Sequence, residues 1–235
     1  MKFSLTKNTK VERGITLYQI KAEETKNGIK KGELGGWIEK KKNLDMRGNA
    51  WVSGNAWVSG DAWVYGNARV VGNAWVFGNA RVSGDAWVSG DAWVFGKYAW
   101  VSGNAWVCGN ACVYGNARVF GDAQVCGNTC VRDDAWVFGN ARVFGDAQVC
   151  GNACVRGDAQ VCGNACVCGK LKLEFGCCFG RKRKDWNVSE VENEEEILLI
   201  KDYKPSEEEP IEEMTLEEIC KALGKTIKIK KKRNN

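Results

Sequence analysis

A six-residue unit, Gly-(Asn/Asp)-Ala-x-Val-x, recurs twenty times between Gly48 and Gly169. One unit, residues 96–102, is longer by a single residue, and Asp133 stands where another unit has its glycine. Ala and Val lie two residues apart, so they share one face of an extended segment. Glycine followed by Asn or Asp is typical of a turn. A helix is excluded because each glycine would destabilise it by about 1 kcal/mol.

Coiling is the arrangement that pairs the backbone hydrogen-bonding groups of these short strands, because a meander of identical hairpins would leave long unpaired edges. With three units in each turn, every strand lies under the strand 18 residues later, and the Ala and Val side chains fill a narrow triangular interior. Twenty units then form between six and seven coils. The extra residue beside Lys97 and Tyr98 must be absorbed at a corner, because a shift within the strand would turn Val101 outward.

The unit written as Val-x-Gly-(Asn/Asp)-Ala-x resembles the hexapeptide repeat of left-handed parallel β-helix proteins, which implies a left-handed triangular coil. The segment Gly32-Glu33-Leu34-Gly35-Gly36-Trp37-Ile38-Glu39, followed by Asn43-Leu44 and then the repeats, resembles the opening of a group of bacterial and phage-borne hexapeptide-repeat proteins. The predicted fold class is all-β: a single-stranded parallel β-helix with a small N-terminal β cap and a short α/β C-terminal tail.

The chain divides into five predicted segments. Residues 1–47 hold twelve Lys and Arg against six Asp and Glu, and they form the β cap over the first coil. Residues 48–169 form the β-helix, and residues 170–189 close it with one strand and a basic run. Acidic residues dominate 190–214, which is typical of a flexible linker. Residues 215–235 begin with the spacing of a capping box and predict a short helix–strand tail.

Histidine is absent from all 235 residues, and this limits the chemistry. Hexapeptide-repeat acyltransferases use a histidine as the general base, a role that needs a pKa near neutrality. We therefore assign no catalytic residue and no cofactor, and we expect a non-catalytic scaffold or binding protein. A diverged acyltransferase that lacks the catalytic histidine is the alternative.

The outward positions of the repeats fall on three faces, and nine of the eleven tryptophans occupy them. Face 1 carries a strip of indoles flanked by two phenylalanines, and face 2 alternates Trp with Arg. Face 3 holds the remaining outward residues. We expect the first two faces to bind a second copy of the chain or a protein partner, with carbohydrate binding as a weaker alternative and simple stiffening of the coil as another. The expected binding residues are Trp57, Trp75, Trp93, Phe77 and Phe95 on face 1, and Trp63, Arg81, Trp100, Arg118 and Trp136 on face 2.

Twelve cysteines are present, several in the pattern Cys-Gly-Asn-x-Cys, as at Cys108 and Cys112. That spacing differs from the Cys-x-x-Cys of zinc sites, and both thiols point outward from different faces, so no metal site is expected.

The first residues lack the apolar core of a signal peptide, and no apolar run is long enough for a membrane span. The chain is therefore expected to be cytoplasmic with reduced thiols. Its positive charge is confined to the N-terminal module and short runs, so nucleic acid is not an expected partner.

Overall fold

The computed structural model describes residues 1–180, and within them the chain forms twenty-five β-strands and one short 3₁₀ helix at Lys41–Asn43. Most strands span only the two residues between one corner and the next, because each six-residue unit leaves room for no more. In chain order they are β1 (Phe3–Glu12), β2 (Ile15–Ala22), β3 (Leu34–Ile38), β4 (Trp51–Val52), β5 (Trp57–Val58), β6 (Trp63–Val64), β7 (Arg69–Val70), β8 (Trp75–Gly78), β9 (Arg81–Val82), β10 (Trp87–Val88), β11 (Trp93–Gly96), β12 (Trp100–Val101), β13 (Trp106–Val107), β14 (Cys112–Tyr114), β15 (Arg118–Val119), β16 (Gln124–Val125), β17 (Cys130–Val131), β18 (Trp136–Val137), β19 (Arg142–Val143), β20 (Gln148–Val149), β21 (Cys154–Val155), β22 (Gln160–Gly163), β23 (Cys166–Val167), β24 (Lys172–Leu173) and β25 (Cys177–Gly180).

From β3 onwards the strands stack in parallel into three sheets, one for each face of the coil, and β1 and β2 extend the first of these sheets as antiparallel strands. Face 1 is the outside of the sheet β3-β5-β8-β11-β14-β17-β20-β23; face 2 is that of β6-β9-β12-β15-β18-β21-β24; face 3 is that of β4-β7-β10-β13-β16-β19-β22-β25. The described part of the chain is thus an all-β parallel solenoid, as predicted. It has about eight turns rather than six to seven, because β3 precedes the repeats in the stack and β24 and β25 follow them.

The register predicted from the repeat is confirmed along the whole coil. Val101 is fully buried and pairs with Val82 below and Val119 above. The extra residue lies at a corner: β11 ends at Gly96, and Lys97 and Tyr98 are exposed. The inward Ala and Val side chains from 50 to 161 that line the interior are at most 1% exposed. Backbone hydrogen bonds between successive coils are about 2.9 Å long, such as the one that Trp87 N donates to Ala105 O.

The N-terminal module is joined to the coil by β3, which pairs in parallel with β5 and antiparallel with β2. Behind it, the buried Asn43 donates hydrogen bonds to Gly60 O at 3.0 Å and Ala62 O at 2.8 Å. Lys42 and Lys40 bind the Asp61 carboxylate at 2.6 and 3.2 Å. Hydrogen bonds from these two ammonium groups lower the pKa of Asp61. That electrostatic contribution to stability is present above the unfolded-state pKa and is lost as the pH falls through the lower folded-state pKa.

Asn and Asp at the corners form side-chain ladders that run in one direction. Asn49 Nδ2 donates to Asn67 Oδ1 at 2.7 Å, and Asn67 Nδ2 donates to Asp85 Oδ1 at 2.8 Å. The same step recurs on another corner, from Asn110 to Asn128 at 2.8 Å. An ionised Asp accepts but cannot donate, so each Asp ends one run of the ladder. The corner residues are therefore chosen for hydrogen bonding between coils.

Lys172–Leu173 forms a closing strand within the segment 170–189, as predicted, and it pairs with β21. The expected basic run at 181–184, the linker at 190–214 and the helix–strand tail at 215–235 lie outside the described residues. Within residues 1–180, no helix is long and apolar enough to cross a membrane.

Candidate interaction surfaces

Face 1 brings the expected aromatic residues into direct contact with one another. The ring centroids of Trp57 and Trp75 are 4.5 Å apart, and those of Trp75 and Trp93 are 4.8 Å apart and nearly parallel. Phe77 and Phe95 stack at 4.7 Å. Because successive coils lie about 4.8 Å apart, each aromatic side chain meets its copy in the next coil. The aromatic side chains of face 1 therefore already contact one another within a single subunit.

The N-terminal hairpin covers part of this strip, which the repeat pattern did not indicate. Arg13, at the tip between β1 and β2, lies 4.5 Å from the ring centroid of Trp75 and 5.1 Å from that of Trp93. Trp57 is only 3% exposed, and Trp75 and Trp93 are half-buried. The expectation of an exposed indole strip is therefore wrong for Trp57, and Trp75 and Trp93 offer a partner less surface than expected.

Face 2 has the predicted alternation of Trp and Arg, with pairing between β6, β9, β12, β15 and β18. Only one step of that column is a cation–π contact, with Arg118 lying 5.0 Å from the ring centroid of Trp136. Trp63 instead stacks on Tyr65 at 4.2 Å, and Trp100 Nε1 donates to Ser83 Oγ at 3.1 Å. Trp136 is exposed, while Trp63 and Trp100 are half-buried. The two expected binding sets thus lie on separate faces and do not form one site.

A shallow groove of about 420 Å³ lies on face 2 beside the corner that holds the extra residue. It brings the expected residues Arg81, Trp100 and Arg118 together with the exposed Lys97 and Tyr98. Three cationic side chains beside two aromatic rings favour the binding of an anionic group in this groove. Asp61 and Asn79 complete the lining.

Face 3 was not among the expected binding surfaces. Among the described residues it carries the two most exposed tryptophans, and these lie in adjacent coils. Trp87 and Trp106 are each 45% exposed, and their ring centroids are 6.2 Å apart. Phe144 on the same face is 39% exposed. Trp51, at the start of the column, is buried. The repeat pattern places all these residues outward, and it does not indicate that Trp51 is buried while Trp87 and Trp106 are exposed.

Cysteines stack between coils, which corrects the expectation that all the thiols are reduced. Disulfides join Cys108 to Cys126 on face 3 and Cys150 to Cys168 on face 1, each with Cα atoms 4.6 Å apart. The spacing of a parallel ladder falls within the Cα range that a disulfide requires, so two outward cysteines 18 residues apart meet this condition. The spacing of 18, and not the local Cys-Gly-Asn-x-Cys pattern, was the signal that sequence reasoning missed.

Burial, followed by the neighbouring Cys130, raises the pKa of the Cys112 thiol, and burial likewise raises the pKa of Cys154. Both groups are therefore thiols rather than thiolates at neutral pH, which makes them weak nucleophiles. No catalytic constellation emerges from these two cysteines, and neither lies beside a histidine, since the chain has none.

The YdcK beta solenoid repeat model matches five segments of the chain: residues 62–78, 76–90, 111–127, 135–151 and 147–163. All five lie within the stacked repeats, and together they cover about a third of the chain. No curated protein shows significant sequence similarity to the chain. The matched repeats agree with the three parallel sheets, and the chain is therefore a β-solenoid repeat protein, similar in these segments to the YdcK solenoid repeat.

Proposed function

We propose that this protein is a non-catalytic solenoid scaffold that self-associates through face 3. The observation that carries the proposal is the adjacent pair Trp87 and Trp106, each 45% exposed on a flat sheet. Large aromatic side chains dominate the binding energy of protein interfaces, and contiguous exposed aromatic surface is uncommon on a monomer.

The order of residues along face 3 favours a second copy of the same chain as the occupant. In a symmetric dimer with its axis between Trp87 and Trp106, each indole packs against the other indole of the partner copy. Arg69, one coil before Trp87, then lies opposite Gln124, one coil after Trp106. An axis through Trp106 would instead place Arg69 opposite Arg142, and like charges oppose association. The arrangement of charges therefore disfavours the register centred on Trp106 and is compatible with the one centred between the two indoles.

The size of the face sets the expected strength of the dimer. With the axis between Trp87 and Trp106, six of the eight strands, β4 to β19, face the partner copy, so the contact is about 24 Å long and, for one side of the triangle, about 17 Å wide. Two such surfaces bury about 800 Å², the size of a weak, transient interface. We expect a dimer with a dissociation constant in the micromolar range rather than an obligate assembly.

The test is sedimentation velocity on the full chain from one to one hundred micromolar. The wild type should dimerise, and Trp106→Glu should be monomeric throughout, because a buried unpaired carboxylate is costly at an interface. Trp136→Glu is the matched control, since Trp136 is 41% exposed but lies on face 2, and it should dimerise like the wild type.

Circular dichroism should be unchanged in both variants, because neither side chain enters the Ala/Val interior. A wild type that stays monomeric at one hundred micromolar would refute self-association. If its tryptophan fluorescence then shifted on addition of soluble oligosaccharides, with the shift lost in Trp106→Glu, face 3 would be a carbohydrate-binding surface instead. Equal effects of the two substitutions would also contradict a role specific to face 3.

A further inference from the structure

Three cysteine sulfurs lie together on face 1 near the end of the described coil. The Sγ atoms of Cys150, Cys166 and Cys168 all lie within 4.8 Å of one another, and those of Cys166 and Cys168 are 3.0 Å apart. Among the described residues, this is the one group of three or more Cys, Asp or Glu side chains close enough to share a metal ion.

The solenoid register builds this cluster. Cys150 and Cys168 each follow an inward valine, and those valines, Val149 and Val167, pair directly between β20 and β23. Cys166 precedes Val167, so it points to the same side of the strand as Cys168. Cys166 and Cys168 flank Val167 of β23, and Cys150 follows β20, so the stacking of these two strands places three thiols on one face.

Access to the cluster comes from the outer side. Cys166 is exposed, Cys168 is half-buried and Cys150 is buried. Within residues 1–180, β23 is the last strand of its sheet, so no described strand stacks beyond it. An ion can approach past Cys166, while Cys150 supplies the inner ligand.

We propose that these three cysteines bind a thiophilic metal ion of the Cu(I), Zn²⁺ or Cd²⁺ type once the Cys150–Cys168 disulfide is reduced. Metal–sulfur bonds of about 2.3 Å separate sulfurs on one ion by about 3.8–4.0 Å in tetrahedral or trigonal geometry. After reduction, the Cys150 and Cys168 sulfurs must separate from their bonded distance, and the 3.0 Å between the Cys166 and Cys168 sulfurs must widen by about 1 Å; rotation of the outward side chains supplies both movements. A set of three sulfur donors selects soft cations over Mg²⁺ or Ca²⁺.

Oxidation and metal binding exclude each other at this site, because both use Cys150 and Cys168. A cellular dithiol or a phosphine transfers two electrons to the disulfide, breaking the S–S bond, and two protons give the free thiols. The dithiol becomes a disulfide, or the phosphine takes up oxygen from water. The ion then binds the cysteines as thiolates, and the displaced protons pass to solvent. The site is thus open to metal only under reducing conditions.

The experiment measures Cd²⁺ bound to the full chain by equilibrium dialysis and elemental mass spectrometry. The protein is first reduced with a phosphine, which is removed under anaerobic conditions. Reduced wild type should bind about one Cd²⁺ per chain more than Cys166→Ser, or bind it at least about tenfold more tightly. Cys154→Ser is the matched control, because Cys154 is also an outward thiol that precedes an inward valine, but it lies on face 2. It should bind like the wild type.

The protein with its disulfide intact, verified by alkylation and mass spectrometry, should bind no more Cd²⁺ than Cys166→Ser. Cys150→Ser should lose the same ion, whereas Cys108→Ser, which breaks the other disulfide, should retain it. Circular dichroism identifies any variant that fails to fold, and the remaining variant then decides. Equal binding by Cys166→Ser and Cys154→Ser would overturn the site. Equal binding before and after reduction would overturn its dependence on the disulfide.

Discussion

Corner glycines should differ sharply in how well they tolerate alanine, and the structure supplies a matched pair. Gly103 and Gly163 both have positive φ, +69° and +62°. A Cβ on Gly103 would lie 2.8 Å from the nitrogen and 2.9 Å from the oxygen of Gly121 in the next coil. A Cβ on Gly163 would meet no atom of the described residues within 4 Å. The two sites therefore share the backbone strain but not the steric conflict.

The expected magnitudes follow from these two contributions. Positive φ costs a non-glycine residue about 1–2 kcal/mol, and this applies to both variants. Forcing a methyl group against the backbone of the next coil adds about 1–3 kcal/mol, and this applies only to Gly103→Ala. We expect the free energy of unfolding to fall by about 2–5 kcal/mol for Gly103→Ala and by about 1–2 kcal/mol for Gly163→Ala.

Urea unfolding, followed by far-ultraviolet circular dichroism, measures both losses. Terminal coils of a solenoid can unfold before the rest, which would reduce the effect at Gly163 for an unrelated reason. Val101→Ala and Val161→Ala serve as the control pair, because both side chains are fully buried, in the middle and in the last coils respectively. The difference between the glycine variants must exceed the difference between the valine variants. A glycine difference equal to the valine difference within about 0.5 kcal/mol would refute the reasoning.

Two further substitutions test the interior and the corners. Thr129 occupies an inward alanine position, and its hydroxyl is buried without a hydrogen-bond partner. Thr129→Ala should therefore raise the free energy of unfolding by about 1 kcal/mol. Urea unfolding measures this change, and a loss of stability would contradict the prediction. Asn67→Asp keeps the acceptor for Asn49 but places a carboxylate beside that of Asp85, which should cost about 1 kcal/mol at pH 7. The repulsion needs both carboxyls to be charged, so the loss should shrink as acid protonates them, and a loss independent of pH would contradict it.

The regular part of the fold was predictable because every unit carries the same information. The spacing of Ala and Val decides the inward face, and the corner at Lys97 and Tyr98 had to absorb the extra residue if Val101 was to stay buried. Position 133 shows the same logic, since Asp133 adopts a φ of +62° where the other units have glycine. Local chemistry, repeated many times, leaves few alternatives for such a chain.

The features that were missed depend on contacts outside one unit. β3 joins the stack although residues 34–38 do not carry the repeat pattern, so the coil count was too low. Trp57 is buried where β3 pairs with β5, and no pattern within one unit indicates this pairing. The disulfide partners are neighbours only across coils. The expected and observed candidate surfaces therefore differ because of contacts between residues far apart in the sequence, and not because of the chemistry of individual side chains.

The stacking of residues 18 apart has a consequence for how such a chain can change in length. Duplicating or deleting 18 residues, which is 54 nucleotides of coding sequence, adds or removes one whole coil and leaves every later side chain on its original face. A change of six residues preserves the inward Ala and Val but rotates everything after it by one third of a turn. Cys168 would then leave the column of Cys150, and a one-unit change between Trp87 and Trp106 would separate that pair. Copying errors of one unit therefore leave a folded protein with a different surface, whereas errors of three units lengthen the same surface.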